Sequence, residues 1–191
     1  MYGQRHKMKF DYFWHGNSFT QDECKDICLR LQEDSKLSNA VDNPAPGIIK
    51  TATVKLVAWK HCKHYLSKLD ELIKFTNLTQ FGFHLYDLTD FDCVNYNQYN
   101  EETKGQYDWH SDGTKNGDIY DLKMTTILNL STDPYEGGHL ELFLNGERRI
   151  TEMGQTGTVI SFPSWIQHRV TPVTKGTRTT LSIWSRGPNF R

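Results

Sequence analysis

The hydrophobic pattern of this chain changes near residue 80, and that change restricts the folds open to it. Before it, apolar residues recur at helical spacing in two segments, near residues 20–31 and 65–77. After Phe81 the helical spacing stops, and short runs rich in β-branched residues alternate with turn residues. The Asn145-Gly146 dipeptide between two such runs is a strong hairpin signal. This order predicts helices packed on an antiparallel sandwich or barrel.

The N-terminal part carries clear boundary signals. Thr20-Gln-Asp-Glu23 forms a capping box, which predicts that a helix of about three turns begins there. Residues 51–57 show β-branched alternation and predict a strand, and residues 65–77 predict a second amphipathic helix. We therefore predict a mainly β (α+β) fold, with a double-stranded β-helix (jelly-roll) core and two N-terminal supporting helices.

Length and composition limit the classes of protein that remain. At 191 residues the chain is long enough for one sizeable core and too short for two comfortable domains. We expect one domain over residues 1–191, with helical support at about 18–78 and the jelly-roll at about 80–188. The formal net charge of −1 argues against nucleic acid as an obligate partner.

The distribution of apolar residues and cysteines indicates the compartment. No stretch approaches the ~20 apolar residues of a membrane span. No apolar run of the signal-peptide type follows the first residues, and the four cysteines lack regular spacing. We expect a cytoplasmic protein without a membrane partner, present as a monomer or homodimer.

A histidine and an aspartate one residue apart, His110 and Asp112, form the core of a candidate metal site. On a strand, residues at positions i and i+2 point to the same face. A third candidate ligand, His168, is expected to arrive from another strand of the same barrel. Two histidines and one carboxylate on one face of a metal are typical of non-haem Fe(II) oxygenases, which leave positions open for a cosubstrate and O₂.

Arg178 is a candidate anion anchor near that metal. The interval His168-Arg-Val-Thr-Pro-Val-Thr-Lys-Gly-Thr-Arg178 predicts a strand, a turn and a second strand, which return a fixed cation to the site. An oxo-diacid that chelates iron at one end needs a partner for its far carboxylate. A guanidinium matches a carboxylate in a bidentate way, so Arg178 is predicted to bind that group.

These four residues and the segments around them resemble the 2-oxoglutarate/Fe(II)-dependent dioxygenases, in their prolyl 4-hydroxylase branch. The four elements in this order are far more specific than a lone His-x-Asp motif. The resemblance covers roughly residues 80–188. It rests on Tyr99–Asp112, on Gly137-Gly138-His-Leu-Glu-Leu-Phe143, and on Gly157-Thr-Val-Ile-Ser-Phe-Pro-Ser164 continuing to Arg178-Thr-Thr-Leu-Ser-Ile-Trp184-Ser-Arg-Gly-Pro188.

The resemblance implies the cofactors and the reaction. Fe(II) would be held by His110, Asp112 and His168, with 2-oxoglutarate and O₂ as cosubstrates and ascorbate as a candidate reductant. The reaction would hydroxylate an unactivated C–H bond and release succinate and CO₂. In related halogenases a small residue replaces the carboxylate ligand, so Asp112 favours hydroxylation. Collagen-type members carry lysine where this chain has Arg178.

The resemblance also implies residues that bind 2-oxoglutarate. Tyr99 stands where the family carries a tyrosine in the cosubstrate pocket, and Tyr96 is an alternative because the spacing after Tyr99 is longer than usual. Ile127 stands where oxygen-sensing members carry a tyrosine that holds the C5 carboxylate. Thr125 or Thr180 is expected to take over that contact.

The substrate implied by the resemblance is a prolyl residue in a protein or peptide. Trp109, Trp184 and Arg186 flank the ligands and are candidate substrate contacts, and the loops 41–50 and 113–121 are candidate lids. One alternative keeps the chemistry and changes the substrate to a free amino acid, another peptidyl residue or a small metabolite. Another alternative, from a different class, is a metal-binding jelly-roll sensor without turnover.

A zinc site is a second metal alternative. Cys24 and Cys28, together with His61 and His64, supply the ligand types. The two cysteines fall on the apolar stripe that includes Ile27, and no compact Cys-x-x-Cys pair is present. Packing in the core is therefore the favoured role for both cysteines.

Overall fold

The computed structural model describes Met8 and residues 10–35, 47–112 and 121–189. In these residues the elements follow one another as β1 (Phe13–His15), α1 (Gln21–Asp34), β2 (Thr53–Ala58), α2 (Trp59–Cys62), α3 (Ser67–Thr76), β3 (Cys93–Asn100), β4 (Tyr107–His110), β5 (Asp121–Asn129), β6 (Glu136–Gly137), β7 (Leu140–Phe143), β8 (Glu147–Arg149), β9 (Val159–Pro163), β10 (His168–Val170), β11 (Val173–Lys175) and β12 (Thr177–Gly187). A short π-helix, Asn77–Phe81, follows α3, and a 3-10 helix, Thr151–Gly154, precedes β9.

Two antiparallel sheets make the jelly-roll. The larger sheet has the strand order β1-β9-β5-β12-β3-β2, and the smaller has the order β4-β10-β7-β8, while β11 and β6 form a separate pair. Side chains of β5 and β9 pack against side chains of β7, among them Ile127, Phe162 and Leu142, in one buried cluster. The predicted mainly β jelly-roll with N-terminal helices is confirmed.

The helices cover the outer face of the larger sheet. The capping box at Thr20 is present, with Glu23 N–H donating to Thr20 Oγ1 and Thr20 N–H donating to Glu23 Oε2. Buried residues of α1 and α3, such as Leu31 and Leu69, pack against Leu181 on β12. The sequence placed the second helix over residues 65–77, and the structure divides this region into α2, α3 and the π-helix.

The two cysteines of α1 lie in this helix layer. The thiols of Cys24 and Cys28 donate to the carbonyls of Asn129 and Leu130, each at 3.9 Å. Burial raises the pKa of Cys24 to about 12, which keeps its thiol protonated. Both contacts agree with the predicted packing role. In the described part of the chain, no helix has the length and apolar character that crossing a bilayer requires.

Alternation along β12 decides which residues face the interior of the jelly-roll. Leu181 and Ile183 point toward the helices, where they join the main core. Because successive strand residues face opposite sides, Arg178, Thr180 and Trp184 point the other way, between the two sheets. The larger sheet therefore has an apolar outer face and a partly polar inner face.

Candidate active site

The three predicted metal ligands meet between the sheets. His110 is the last residue of β4, and His168 is the first residue of β10 and its antiparallel partner in the register. Asp112 lies just beyond β4, where its N–H donates to the Ser164 carbonyl at 2.9 Å. The ligand atoms of these residues all lie within 4.8 Å of one another. In the described residues this is the one group of three or more His, Cys, Asp or Glu side chains so arranged.

Backbone carbonyls orient both imidazoles. Nδ1–H of His110 donates to the Asp108 carbonyl at 2.7 Å, and Nδ1–H of His168 donates to the Ile166 carbonyl at 3.0 Å. In the neutral form of each ring, Nε2 is therefore the nitrogen available to a metal. The Nε2 atoms of His110 and His168 lie 3.6 and 3.5 Å from carboxylate oxygens of Asp112. The donor atoms of His110, Asp112 and His168 therefore surround one common position, where a metal ion could bind.

Burial favours the neutral form of His110. Desolvation, followed by the proximity of His168, lowers the pKa of His110 to about 4. A metal binds the neutral imidazole, so His110 needs no proton release near neutral pH. A donor set of two imidazoles and one carboxylate fits a divalent iron.

Thr125 holds the carboxylate of Asp112. Its Oγ1 donates to Asp112 Oδ2 at 2.8 Å and lies 3.0 Å from Ser164 Oγ, in a fully buried position on β5. The sequence assigned Thr125 to the cosubstrate. Since the hydroxyl proton bonds Asp112, we revise this assignment: Thr125 positions a proposed metal ligand.

Replacing Thr125 by valine should weaken Fe(II) binding about tenfold, because the change keeps the side-chain shape and removes the hydrogen bond that orients Asp112. Fe(II) affinity measured by titration under anaerobic conditions checks this. Thr126→Val is the matched control, since Thr126 makes a similar buried hydroxyl contact, 2.8 Å to Ser161 Oγ, on the same strand. Equal losses of affinity in the two variants would contradict the assignment.

A cavity of about 130 Å³ connects the candidate metal site to Arg178. Its volume is similar to the ~150 Å³ of an engineered cavity that holds benzene. The inner faces of β3, β5 and β12 and the ends of β4 and β10 form its walls. The lining residues are Lys50, Asn95, Asn97, Tyr99, Tyr107, His110, Asp112, Thr125, Ile127, Leu140, His168, Val170, Arg178, Thr180, Ser182 and Trp184.

Arg178 presents a buried, unsatisfied donor to this cavity. The residue is 1% exposed, and its guanidinium lies 5.4 Å from the ring centroid of Tyr99, its partner on β3. Its Nη2 has no hydrogen-bond partner in the described part of the protein. A buried cation with an unmade hydrogen bond costs free energy, and a bound carboxylate would supply the missing acceptor. The arrangement fits the far carboxylate of 2-oxoglutarate.

Gly138 makes room for the stem of Arg178. At φ +57°, a Cβ on Gly138 would lie 2.9 Å from Cδ of Arg178 and 2.8 Å from Cγ2 of Val173. Both separations are shorter than side-chain carbons tolerate, and the left-handed backbone disfavours any residue with a Cβ. Of the two glycines in the Gly137-Gly138 segment, Gly138 is therefore the one whose missing side chain leaves room for Arg178.

Gly138→Ala should lower the free energy of unfolding by about 1–3 kcal/mol and should also raise the KM for 2-oxoglutarate, because the guanidinium must move. Thermal unfolding and steady-state kinetics measure the two effects. Gly154→Ala is the control, since Gly154 has a negative φ and open space at its Cβ position. A destabilised Gly138→Ala with an unchanged KM would refute the link to Arg178.

The other predicted cosubstrate residues divide between the two faces of the larger sheet. Tyr99 and Thr180 both line the cavity beside Arg178. Tyr96 lies on the opposite face, in the helix-side core, where its hydroxyl accepts a hydrogen bond from Gln32. The alternative that assigned Tyr96 to the cosubstrate is therefore wrong. Ile127 lines the cavity as an apolar wall, in the place where the resemblance expected a tyrosine.

The structure places the three predicted substrate contacts in three different surroundings. Trp184 lines the cavity, and its buried Nε1–H has no acceptor in the described residues. Trp109 lies on the outer face of the smaller sheet, with the guanidinium of Arg169 4.7 Å from its ring centroid. Arg186 pairs with Asp92 at 2.6 Å and lies outside the cavity lining. Trp109 and Arg186 are thus misplaced for contact inside this cavity.

Sequence reasoning missed several lining residues. Asn95 and Asn97 lie on the same face of β3 as Tyr99, so period-two alternation from Tyr99 was a signal that could have found them. Lys50, the last residue of the predicted lid 41–50, also lines the cavity. Both predicted lids fall largely outside the described residues, namely 41–46 of the first loop and 113–120 of the second.

Comparison with known proteins shows which family the chain resembles. Residues 94–186 match the family model of the 2OG-Fe(II) oxygenase superfamily. The chain is similar to a PKHD-type hydroxylase of Idiomarina loihiensis, 36% identical over 84 residues, which cover 42% of this chain and 38% of that protein. The chain thus matches well under half the length of this curated relative.

Solved structures share the fold. A Pseudomonas putida prolyl-4-hydroxylase superposes with a TM-score of 0.70 at 20% identity, over 94% of both chains. A prolyl hydroxylase from Trichoplax adhaerens, in complex with a hypoxia inducible factor oxygen degradation domain peptide fragment, gives a TM-score of 0.68 at 16% identity. That match covers 92% of this chain and 83% of the other. The chain therefore has a prolyl 4-hydroxylase-like fold, and its residues 94–186 are similar to the 2OG-Fe(II) oxygenase superfamily.

Proposed function

We propose that this 2OG-Fe(II) oxygenase domain hydroxylates a prolyl residue in a protein or peptide. The observation that carries the oxygenase chemistry is one cavity that joins the His-Asp-His cluster to the buried guanidinium of Arg178, whose Nη2 lacks a hydrogen-bond partner in the described residues. A metal site alone would suit many functions. The buried cation beside it selects a cosubstrate with a carboxylate at its far end.

Each part of the cavity has a task in this proposal. His110, Asp112 and His168 would hold Fe(II), and Arg178, assisted by Thr180, would hold the C5 carboxylate of 2-oxoglutarate. When bound, iron and 2-oxoglutarate supply the oxidising chemistry, in which decarboxylation to succinate and CO₂ accompanies oxygen insertion into a C–H bond. The protein supplies orientation, charge and exclusion of water.

The apolar part of the wall supports that exclusion of water. Ile127, Leu140 and Val170 line the cavity and are 6%, 1% and 6% exposed. A dry wall strengthens the interaction between Arg178 and a carboxylate, because the effective dielectric constant is low. The isoleucine that replaces the expected tyrosine leaves Arg178, with Thr180 beside it, as the main carboxylate contact.

Aromatic side chains support a prolyl substrate. The Tyr107 ring stacks on the His110 ring, with centroids 3.5 Å apart and planes at 18°, and Trp184 forms another part of the lining. The stacked Tyr107 ring walls the cavity beside His110, and the indole of Trp184 can present a flat apolar face to a pyrrolidine ring. The fold likeness to prolyl hydroxylases, one of them solved with a peptide, supports the same substrate class.

Turnover assays with product analysis test the proposal. Protein with Fe(II), 2-oxoglutarate, ascorbate and O₂ is expected to release succinate, and mass spectrometry of proline-containing peptides should show the addition of one oxygen atom. Omission of ascorbate tests its role as reductant. A small-molecule product without any peptide product would overturn the prolyl substrate. No succinate from folded, iron-loaded protein would instead favour a sensor without turnover.

A further inference from the structure

Three polar side chains of the cavity wall have no task in the proposed function. Asn95 and Asn97 on β3 and Ser182 on β12 line the cavity, and the two asparagines are 5% and 3% exposed. Ser182 is the antiparallel partner of Asn95, so their side chains share one face of the sheet. Buried polar groups cost free energy unless they are hydrogen-bonded, so their bonds indicate what each group is arranged to do.

Hydrogen bonds hold the amide of Asn97 in one orientation. Its Nδ2 donates to the Asn95 carbonyl at 3.1 Å and to Ser182 Oγ at 3.2 Å. A backbone carbonyl can only accept, so the amide nitrogen, and not the amide oxygen, must face it. Both hydrogens of the amide nitrogen are then used. Ser182 Oγ is therefore the acceptor in its bond with Asn97.

This bond leaves the hydroxyl proton of Ser182 available to a ligand. A serine hydroxyl carries one O–H donor and two acceptor lone pairs. In the described part of the chain, the bond from Asn97 is the only hydrogen bond of this side chain, and it uses a lone pair. Since Ser182 lines the cavity, its O–H can donate to an acceptor bound there. The Asn97–Ser182 pair therefore offers the cavity one hydrogen-bond donor.

Ser182 lies between Arg178 and the candidate metal site along β12. Arg178, Ser182 and Trp184 share the inner face of this strand, and strand residues two apart are separated by about 7 Å. Trp184 is the register partner of Thr125, which holds Asp112. Ser182 is therefore one such step from the level of Thr125 and two steps from Arg178. A ligand that spans from the metal to Arg178 would present its metal-binding end near Ser182.

We propose that Ser182, oriented by Asn97, donates a hydrogen bond to the C1 carboxylate of 2-oxoglutarate, at the end that chelates iron. The inference rests on the proposed function, because it assigns a further binding residue to the same cosubstrate. A carboxylate is a stronger acceptor than a ketone oxygen, and charge-assisted hydrogen bonds gain strength in a desolvated cavity. Arg178 would hold one carboxylate and Ser182 the other, while Asn97 is a positioning residue.

Replacement of Ser182 by alanine, studied with two ligands, tests this contact. 2-Oxoglutarate carries the C1 carboxylate, whereas 4-oxopentanoate keeps the ketone and the far carboxylate and has a methyl group in its place. In anaerobic calorimetry with Fe(II) bound, Ser182→Ala should bind 2-oxoglutarate about tenfold more weakly than the unmodified protein does, and 4-oxopentanoate equally well. Its charge-transfer band with saturating 2-oxoglutarate should also shift, because the chelating group loses a hydrogen bond. Ser185→Ala is the matched control, since Ser185 pairs with Met124 of the helix-side core.

Two further variants separate a binding role from a structural one. Ser182→Thr keeps the hydroxyl group and should keep the affinity for 2-oxoglutarate. Asn97→Leu should lose part of that affinity, because the hydroxyl of Ser182 is then present but no longer oriented. Thermal unfolding shows whether each variant is folded.

The outcomes separate this contact from the proposed function. Unchanged affinity for 2-oxoglutarate in folded Ser182→Ala, equal losses for both ligands, or an unshifted band would overturn the contact, even if the unmodified protein hydroxylates proline. A Ser182-dependent affinity with succinate release but no hydroxylated proline would refute the prolyl substrate and uphold the contact. No binding of 2-oxoglutarate by the folded, iron-loaded protein would refute both.

Discussion

Replacing His110 by alanine should lower Fe(II)-dependent succinate release by at least about 10³-fold, which corresponds to about 4 kcal/mol. The substitution removes one of three donors, and the two that remain cannot hold the metal in a defined geometry. Fe(II) affinity should fall with activity, and the charge-transfer band expected on anaerobic addition of Fe(II) and 2-oxoglutarate should disappear. Absorption spectra and succinate quantification measure these effects.

The matched control is His64→Ala. His64 is exposed and packs edge-on against Tyr65, remote in the chain from the metal ligands. We expect this variant to retain activity and metal binding, and thermal unfolding of both variants shows whether each is folded. Full activity in folded His110→Ala would exclude the proposed triad.

Replacing Arg178 by methionine should raise the KM for 2-oxoglutarate by about 10²–10³-fold, because the far carboxylate then enters a buried site without its cation. The same change should leave the free energy of unfolding equal or higher in the absence of 2-oxoglutarate. The reason is that it removes a buried guanidinium with an unmade hydrogen bond and keeps an apolar stem. Steady-state kinetics and denaturant titration check the two parts.

Arg178→Lys distinguishes charge from geometry. Lysine supplies a point charge but no bidentate fork, so an intermediate KM is expected. Equal KM values for the arginine, lysine and methionine forms would show that another residue binds the carboxylate. Strong destabilisation of the methionine form would show that Arg178 is mainly a structural residue.

Local patterns predicted much of the fold. The capping box at Thr20 is a local signal, because its two hydrogen bonds join residues three apart, and the structure shows both. The Asn145-Gly146 turn was equally local, and it connects β7 to β8 as expected. The division of the second helical region into α2, α3 and a π-helix was missed, since apolar spacing continues across the breaks.

The role of Thr125 shows where sequence reasoning stops. Alternation on β5 placed Thr125 toward the interior, which is correct, but it did not reveal which group its hydroxyl meets. The contact with Asp112 depends on how β5 packs beside the chain that leaves β4. Hydrogen-bond partners across strands depend on the order and register of the strands in the sheet. The sequence of one strand alone determines neither of them.

The choice between Tyr96 and Tyr99 as the cosubstrate contact also depends on the register of the sheet. The two residues lie three apart on β3, so they face opposite sides, and the sequence offered both as cosubstrate contacts. Pairing of Tyr99 with Arg178 in the register places Tyr99 in the cavity and Tyr96 among the helices. Trp109 was misplaced for a related reason, because nearness in sequence to a ligand does not decide which face a side chain takes. Arg186 follows a register shift on β12 and pairs with Asp92.

The sequence by itself determined the ligand types, their order and the reaction class that they support. Metal chemistry depends on the identity of the donor atoms, and the side chains of His110, Asp112 and His168 supply those atoms. Arg178 supplies a cation that matches a carboxylate. The tertiary structure alone decided the shape and charge of the cavity that these residues share. It brought Lys50 into the cavity wall and Thr125 to Asp112, because contacts between residues far apart in the chain arise only when the strands pack.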